Sequence, residues 1–212
     1  MKKIIGFIQK VPFTTTILVC LVLAALLTNT VFQEITQKWI NLSGFSASDL
    51  WYWRLERLFT SAFVTSGKLV FWEALFLVAL CVGTAEWMTG WKQTAATFWG
   101  VHLFSLILFS LIMALMAHQF RYIGLEASEI ARDVGPSAGY FACLGLVSAR
   151  VKHPWNWLSA AVLSLFFIVS VFIPAPVSGG AAIKFSADMV HLIAFPVGWA
   201  SSYLILRRKI TN

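Results

Sequence analysis

The sequence predicts an all-α integral membrane protein, a bundle of six transmembrane helices with both termini in the cytoplasm. Composition gives the class: 59% of the 212 residues are hydrophobic, 12% are charged and the mean hydropathy is +0.79. That is more apolar surface than a soluble domain of this size can bury. Six apolar runs separated by polar or Pro/Gly-containing stretches give the number of helices. Charge asymmetry gives the orientation. With both ends inside, the inner side holds Lys2, Lys3, Lys10, Lys92, Arg150, Lys152, Arg207, Arg208 and Lys209 against the single acid Glu86, while the outer loops balance seven basic and seven acidic residues. A bacterial cytoplasmic membrane is the expected location.

The first helix is expected over Phe13 to Phe32, behind a basic start. The run is long for a signal peptide, no A-x-A-like cleavage pattern follows and further spans come later, so it reads as retained. Gln33 to Gly67 is mixed, and its Trp39, Trp51 and Trp53 suit amphipathic pieces or aromatic anchors at the interface. Leu69 to about Trp87 forms the second span and carries Glu73; Gly90 to Lys92 make the turn. Thr94 to Ala117 is the third span, with His102 in its inner half and His118 at its end, and Phe120 to Asp133 is a polar loop.

Val134 to Ala149 is the fourth apolar run, and at ~1.5 Å per residue it covers roughly 24 Å of a ~30 Å hydrocarbon core. It cannot reach both surfaces. Trp155 to Ile173 is the fifth span, Pro174 to Lys184 a loop, and Met189 to Leu206 the sixth span, closed by Arg207, Arg208 and Lys209. Trp87, Trp91, Trp155 and Trp157 then fall in an inner aromatic belt.

Depth brings two reactive side chains together. Ser137 stands about 20 Å above Arg150, and His191 about 24 Å above Arg207, by helical rise. A serine becomes a nucleophile when a neighbouring base takes its proton, and neutral histidine suits that role. Pro136 at the first helical position would put Ser137 in the first turn, where free backbone N–H groups and the helix dipole favour an oxyanion. Gly135 permits close approach of a substrate backbone. Irregular backbone at this depth requires a water-filled cavity.

Ser137, Ala138 and Gly139 also suit a notch where helices pack closely, and taken alone that role fits them better. The equal depth of His191 tips the reading toward catalysis. His102 lies at the wrong depth for Ser137 and reads as structural. Glu73, near the serine's depth, either faces the cavity or bonds another helix. G-x-S-x-G also matches the nucleophile elbow of α/β-hydrolases, but no strand precedes it. Cys20, Cys81 and Cys143 lack metal or redox spacing, and no metal or organic cofactor is implied. The net charge of +7 flanks apolar runs instead of interleaving with aromatics, so nucleic acid is not an expected partner. No internal repeat supports a transporter.

These features resemble the rhomboid family of intramembrane serine proteases. Six helices, a short fourth one opening with G-x-S, and a histidine 54 residues on near the outer end of the sixth are that family's layout. Gly145 and Gly198 fall at family glycine positions, and Phe141 resembles the aromatic that stacks on the histidine. Arg57-Leu58-Phe59-Thr60 resembles the W-R-x-x-T motif, with Glu56 in place of its tryptophan, and Glu86 to Gly90 resembles E-x-x-x-G. The resemblance covers roughly Trp51 to Leu206. It implies a Ser137–His191 dyad that cleaves membrane-spanning or membrane-adjacent proteins, with Phe141 supporting the site; Gly135 by its backbone freedom and Glu73 by its depth are the other candidate supports. The family's second helix carries His-x-x-x-Asn, which completes the oxyanion hole; those positions are Val70 and Ala74 here, and Ala138 replaces the glycine after the serine. A rhomboid-fold protein that binds transmembrane clients without cleaving them is therefore the alternative expectation.

Overall fold

The computed structural model describes residues 10–119, 132–173 and 181–210, with side chains for all of these except 117–119, 181 and 204–210. The basic residues Lys2 and Lys3, most of the loop expected at 120–133 and most of that at 174–184 lie outside the described residues. So do the side chains of His118, Arg207, Arg208 and Lys209. Among the described residues every regular element is helical, joined by two isolated β-bridges.

Helix α1 spans Pro12–Thr28. Proline suits a helix start because its missing N–H would be unpaired there anyway. Asn29 closes the helix four residues before the expected end, in the left-handed conformation at φ 57°. No side chain at Val11 caps the start; Glu86 does so from another helix. Its carboxylate, 1% exposed, accepts the Phe13 N–H at 2.9 Å, the Thr14 N–H at 2.7 Å and the Thr14 hydroxyl at 2.7 Å. A negative charge at a helix N-terminus is favourable in itself.

The mixed stretch that follows folds into α2 (Gln37–Ser43), α3 (Ala47–Trp51) and α4 (Arg57–Thr60), the last running into a 3₁₀ turn at Ser61–Phe63. Trp51 and Trp53 are exposed, as anchors would be. The interior of this region is polar and tightly tied. Asp49, with no exposed side-chain surface, pairs with Arg57 at 2.9 Å, Arg132 at 2.5 Å and Arg54 at 3.4 Å, and forms a capping box with Ser46. Burial pushes its carboxyl pKa up, but the Ser46 amide, the Arg132 guanidinium and the Ser46 hydroxyl outweigh that and hold it below the usual range.

Helix α5 runs over Leu69–Thr89, with a wide π turn at Val78–Val82. Only Gly90, at φ 82°, separates it from α6 at Trp91–Gln119. Helix α7 spans Ser137–Ser148, α8 Trp155–Phe172, and α9 Ala181–Ile210 with Pro196 inside it. Among the described residues three stretches are long and apolar enough to cross a membrane: Leu69–Thr89, Trp91–Met116 and Trp155–Phe172. Helices α1 and α7 are apolar but shorter. Leu165 and Phe166 on α8 are each 60% exposed, an outward apolar face that lipid can cover.

Other boundaries depart from the expected ones as well. Helix α9 begins eight residues before Met189, because Lys184 and Asp188 pair one turn apart and both bond Ser170 on α8, which holds the polar start in helical form. Pro136 precedes α7 instead of opening it, so Ser137 is itself the first helical residue.

Helix α7 is the centre of the bundle, packing most extensively on α9 and also on α6 and the π turn of α5. Glycine permits that approach. A Cβ on Gly145 would come within 2.2 Å of the Phe195 carbonyl oxygen, and one on Gly198 within 2.1 Å of the Ala142 carbonyl oxygen, so the two backbones touch.

Candidate functional site

The segment that delivers Ser137 is fixed before the helix begins. Asp133 and Phe45 exchange backbone hydrogen bonds at 3.0 and 2.9 Å, the Gly135 N–H bonds the Ser61 carbonyl at 2.8 Å, and Arg132 reaches the Gly44 carbonyl as well as Asp49. Gly135 sits at φ 139°, a conformation other residues rarely adopt. Its N–H is committed to Ser61, so its contribution is the turn and not an oxyanion donor.

Ser137 then faces a cavity of about 250 Å³ between α5, α7 and α9. His191 lines the same cavity, as do Tyr140, Thr65 and Glu73. The packing reading of the small residues belongs to Ser137's neighbours: Ala138 is 2% exposed in the core, and a Cβ on Gly139 would strike the Phe98 ring at 2.4 Å. Ser137 itself is only partly covered.

His191 is held by aromatic rings. Phe141, one turn beyond Ser137, meets it edge-on at 4.7 Å and 61°, and Phe167 of α8 lies at 6.2 Å. Its Nε2 is buried without a hydrogen-bond partner. Among the described residues no hydrogen bond joins Ser137 to His191. An imidazole nitrogen without a partner and a hydroxyl thus border one cavity, not bonded to each other.

Glu73 faces the cavity and is exposed, with no hydrogen bond to another helix among the described residues. Val70 and Ala74, the positions at which the resemblance would expect His and Asn, line the cavity too. Val70 and Glu73 are both exposed, so the cavity opens along α5.

His102 departs from its expected depth. A second void of about 10 Å³, room for about one water, is lined by His102, Ser61, Gly135 and Ser137. Helix α6 starts at Trp91, three residues earlier than expected, and His102 stands as far from that start as Ser137 stands from Ser148; both lie about 16 Å along. The structural role expected of His102 is nevertheless visible in its Nε2 contact with the Leu58 carbonyl at 3.0 Å.

Thr65, Tyr140, Lys184 and Asp133 also line the large cavity, and sequence reasoning did not select them. Thr65 precedes Ser66-Gly67 in a polar turn, which marks a loop and nothing more. Burial raises the Asp133 carboxyl to about 7, the Val134 amide opposes this, and Asp188 adds to it. Among the described residues no group of His, Cys, Asp and Glu has the arrangement of a metal site. No family model, curated protein or solved structure matches the chain.

Proposed function

We propose that the chain is a rhomboid-like intramembrane serine endopeptidase, with six transmembrane helices and both termini in the cytoplasm of a bacterial cell. Ser137 is the nucleophile and His191 the general base. One observation carries the reading: Ser137 and His191, 54 residues apart, line one cavity inside a bundle of apolar helices, and the imidazole keeps a buried, unpartnered nitrogen there. The Phe141 ring on His191, the touching backbones at Gly145 and Gly198 and the Glu86 cap on α1 support the family layout.

In acylation the Ser137 oxygen bonds the scissile carbonyl carbon as His191 takes the hydroxyl proton; the C–N bond then breaks and His191 returns the proton to the leaving amine. In deacylation water attacks the acyl carbon as His191 takes its proton; the C–O bond to Ser137 then breaks and His191 returns the proton to the serine oxygen. The opening along α5 suits entry of a substrate helix from the bilayer, so the partners are membrane-spanning or membrane-adjacent proteins.

A fluorophosphonate probe tests the dyad. Wild-type protein in detergent should label, and Ser137→Ala and His191→Ala should not; equal labelling of all three sinks the dyad. Val70 and Ala74, which carry no donor, favour a second reading, a client-binding relative. That reading predicts helices that co-purify with both wild type and Ser137→Ala, with no cleavage product from either.

A further inference from the structure

A tetrahedral intermediate needs hydrogen-bond donors aimed at its oxygen, and most of an acyl-transfer enzyme's electrostatic advantage lies there. The cavity's α5 wall offers none, because Val70 and Ala74 are apolar, and the Gly135 N–H is spent on Ser61. Besides Ser137, three hydroxyls border the same cavity without a hydrogen bond among the described residues, those of Thr65, Ser66 and Tyr140, and of these the Thr65 oxygen alone is buried. Thr65 is 3% exposed, and its Oγ1 is buried without any hydrogen-bond partner.

A buried hydroxyl left unpaired is a standing cost to the fold, and such groups are uncommon in native proteins. Local structure offers Thr65 no way out. It lies between the 3₁₀ turn at Ser61–Phe63 and Gly67, whose own approach to the Gln33 carbonyl leaves no room for a Cβ. Three other threonines of the outer region show the contrast: Thr60 donates to the Ser43 carbonyl, and Thr28 and Thr30 bond one another. A substrate carbonyl oxygen seated in the cavity would give the Thr65 hydroxyl the acceptor it lacks.

Resting on the serine-protease reading, we propose that Thr65 is a catalytic residue, its hydroxyl donating to the substrate oxyanion in place of the absent α5 donors. Thr65 keeps its own proton throughout, and the Ser137 proton goes to His191. The carbonyl π pair moves onto oxygen as the Ser137 bond forms, Thr65 holds the resulting charge by a hydrogen bond, and the pair returns when the C–N bond breaks. A threonine donor on a loop also leaves the α5 side of the cavity free for the substrate.

The test compares cleavage of one transmembrane reporter by wild type, Thr65→Val, Thr65→Ser and Tyr140→Phe in the same detergent, with a melting curve for each. Valine keeps the shape and removes the donor. The expected result is a fall in kcat of roughly 100- to 1,000-fold for Thr65→Val at near-constant KM. Thr65→Ser should stay within about tenfold of wild type, and the Thr65→Val melting point should not drop. Wild-type kcat in Thr65→Val, or equal loss in the serine and valine variants, overturns the proposal. Loss in Tyr140→Phe with none in Thr65→Val assigns the donor to Tyr140 and also overturns it. These failures leave the protease reading standing, whereas absence of any Ser137-dependent cleavage by wild type defeats both.

Discussion

Gly198→Ala should damage both the fold and the site, by a route the geometry specifies. The new methyl carbon would lie 2.1 Å from the Ala142 carbonyl oxygen and 2.6 Å from the Ala142 Cα, against ordinary contact beginning at 3.4 Å. The obstacle is backbone, so no side-chain rotation relieves it, and α9 must back away from α7 by about 1 Å. Overpacking of this kind costs about 1–3 kcal/mol. Ser137 sits on α7 and His191 on α9, so the same separation opens the dyad, and a misplacement of about 1 Å can cost about 100-fold in rate. Gly100→Ala is the control, because a Cβ there meets nothing within 4 Å. Thermal unfolding in micelles and the rate of fluorophosphonate labelling are the two readouts. Gly198→Ala matching Gly100→Ala in both would refute the claim that these backbones touch and that their contact sets the site.

Further outcomes follow from the polar ties. Asp49→Ala strands Arg132 and Arg57 in a largely buried pocket and should cost about 3–5 kcal/mol by melting or chemical unfolding, whereas an Arg54→Ala change at the exposed member should cost under about 1. Asp49 also has a lowered pKa, so its contribution is present above the unfolded value and is lost as pH falls through the folded one; acid unfolding of Asp49→Asn should lack that component. Asp133 runs the other way. Its raised pKa means that stability falls as pH rises from the unfolded carboxyl value toward about 7, so Asp133→Asn should flatten the melting point across that interval. Glu86→Ala leaves two N–H groups at the start of α1 without an acceptor and should cost about 2–4 kcal/mol; a variant as stable as wild type would deny the cap.

Much of the bundle was legible because long apolar runs have one outcome in a bilayer. The runs around Leu69 and Trp155 and the short one after Ser137 all appear as helices within a few residues of their expected ends. What hydropathy could not show was polar structure. The Lys184–Asp188 pair with Ser170 lengthens α9, and Asp49 with its three arginines organises a region that reads as mere loop. Counting residues from Arg150 and Arg207 put Ser137 and His191 at one level, and the two line one cavity. It failed for His102, where three residues at the start of α6 were misassigned. Thr65 was invisible because nothing local distinguishes a threonine with an idle hydroxyl from one that bonds a carbonyl; only packing decides that.

The central claim is that a hydroxyl on α7 and an imidazole on α9 act as one reactive unit. Peptide mapping by mass spectrometry after treatment with a fluorophosphonate tests it most directly. The adduct should fall on Ser137 in wild-type protein and vanish in His191→Ala while the fold persists. An adduct on another residue, or undiminished modification of Ser137 without His191, would contradict it.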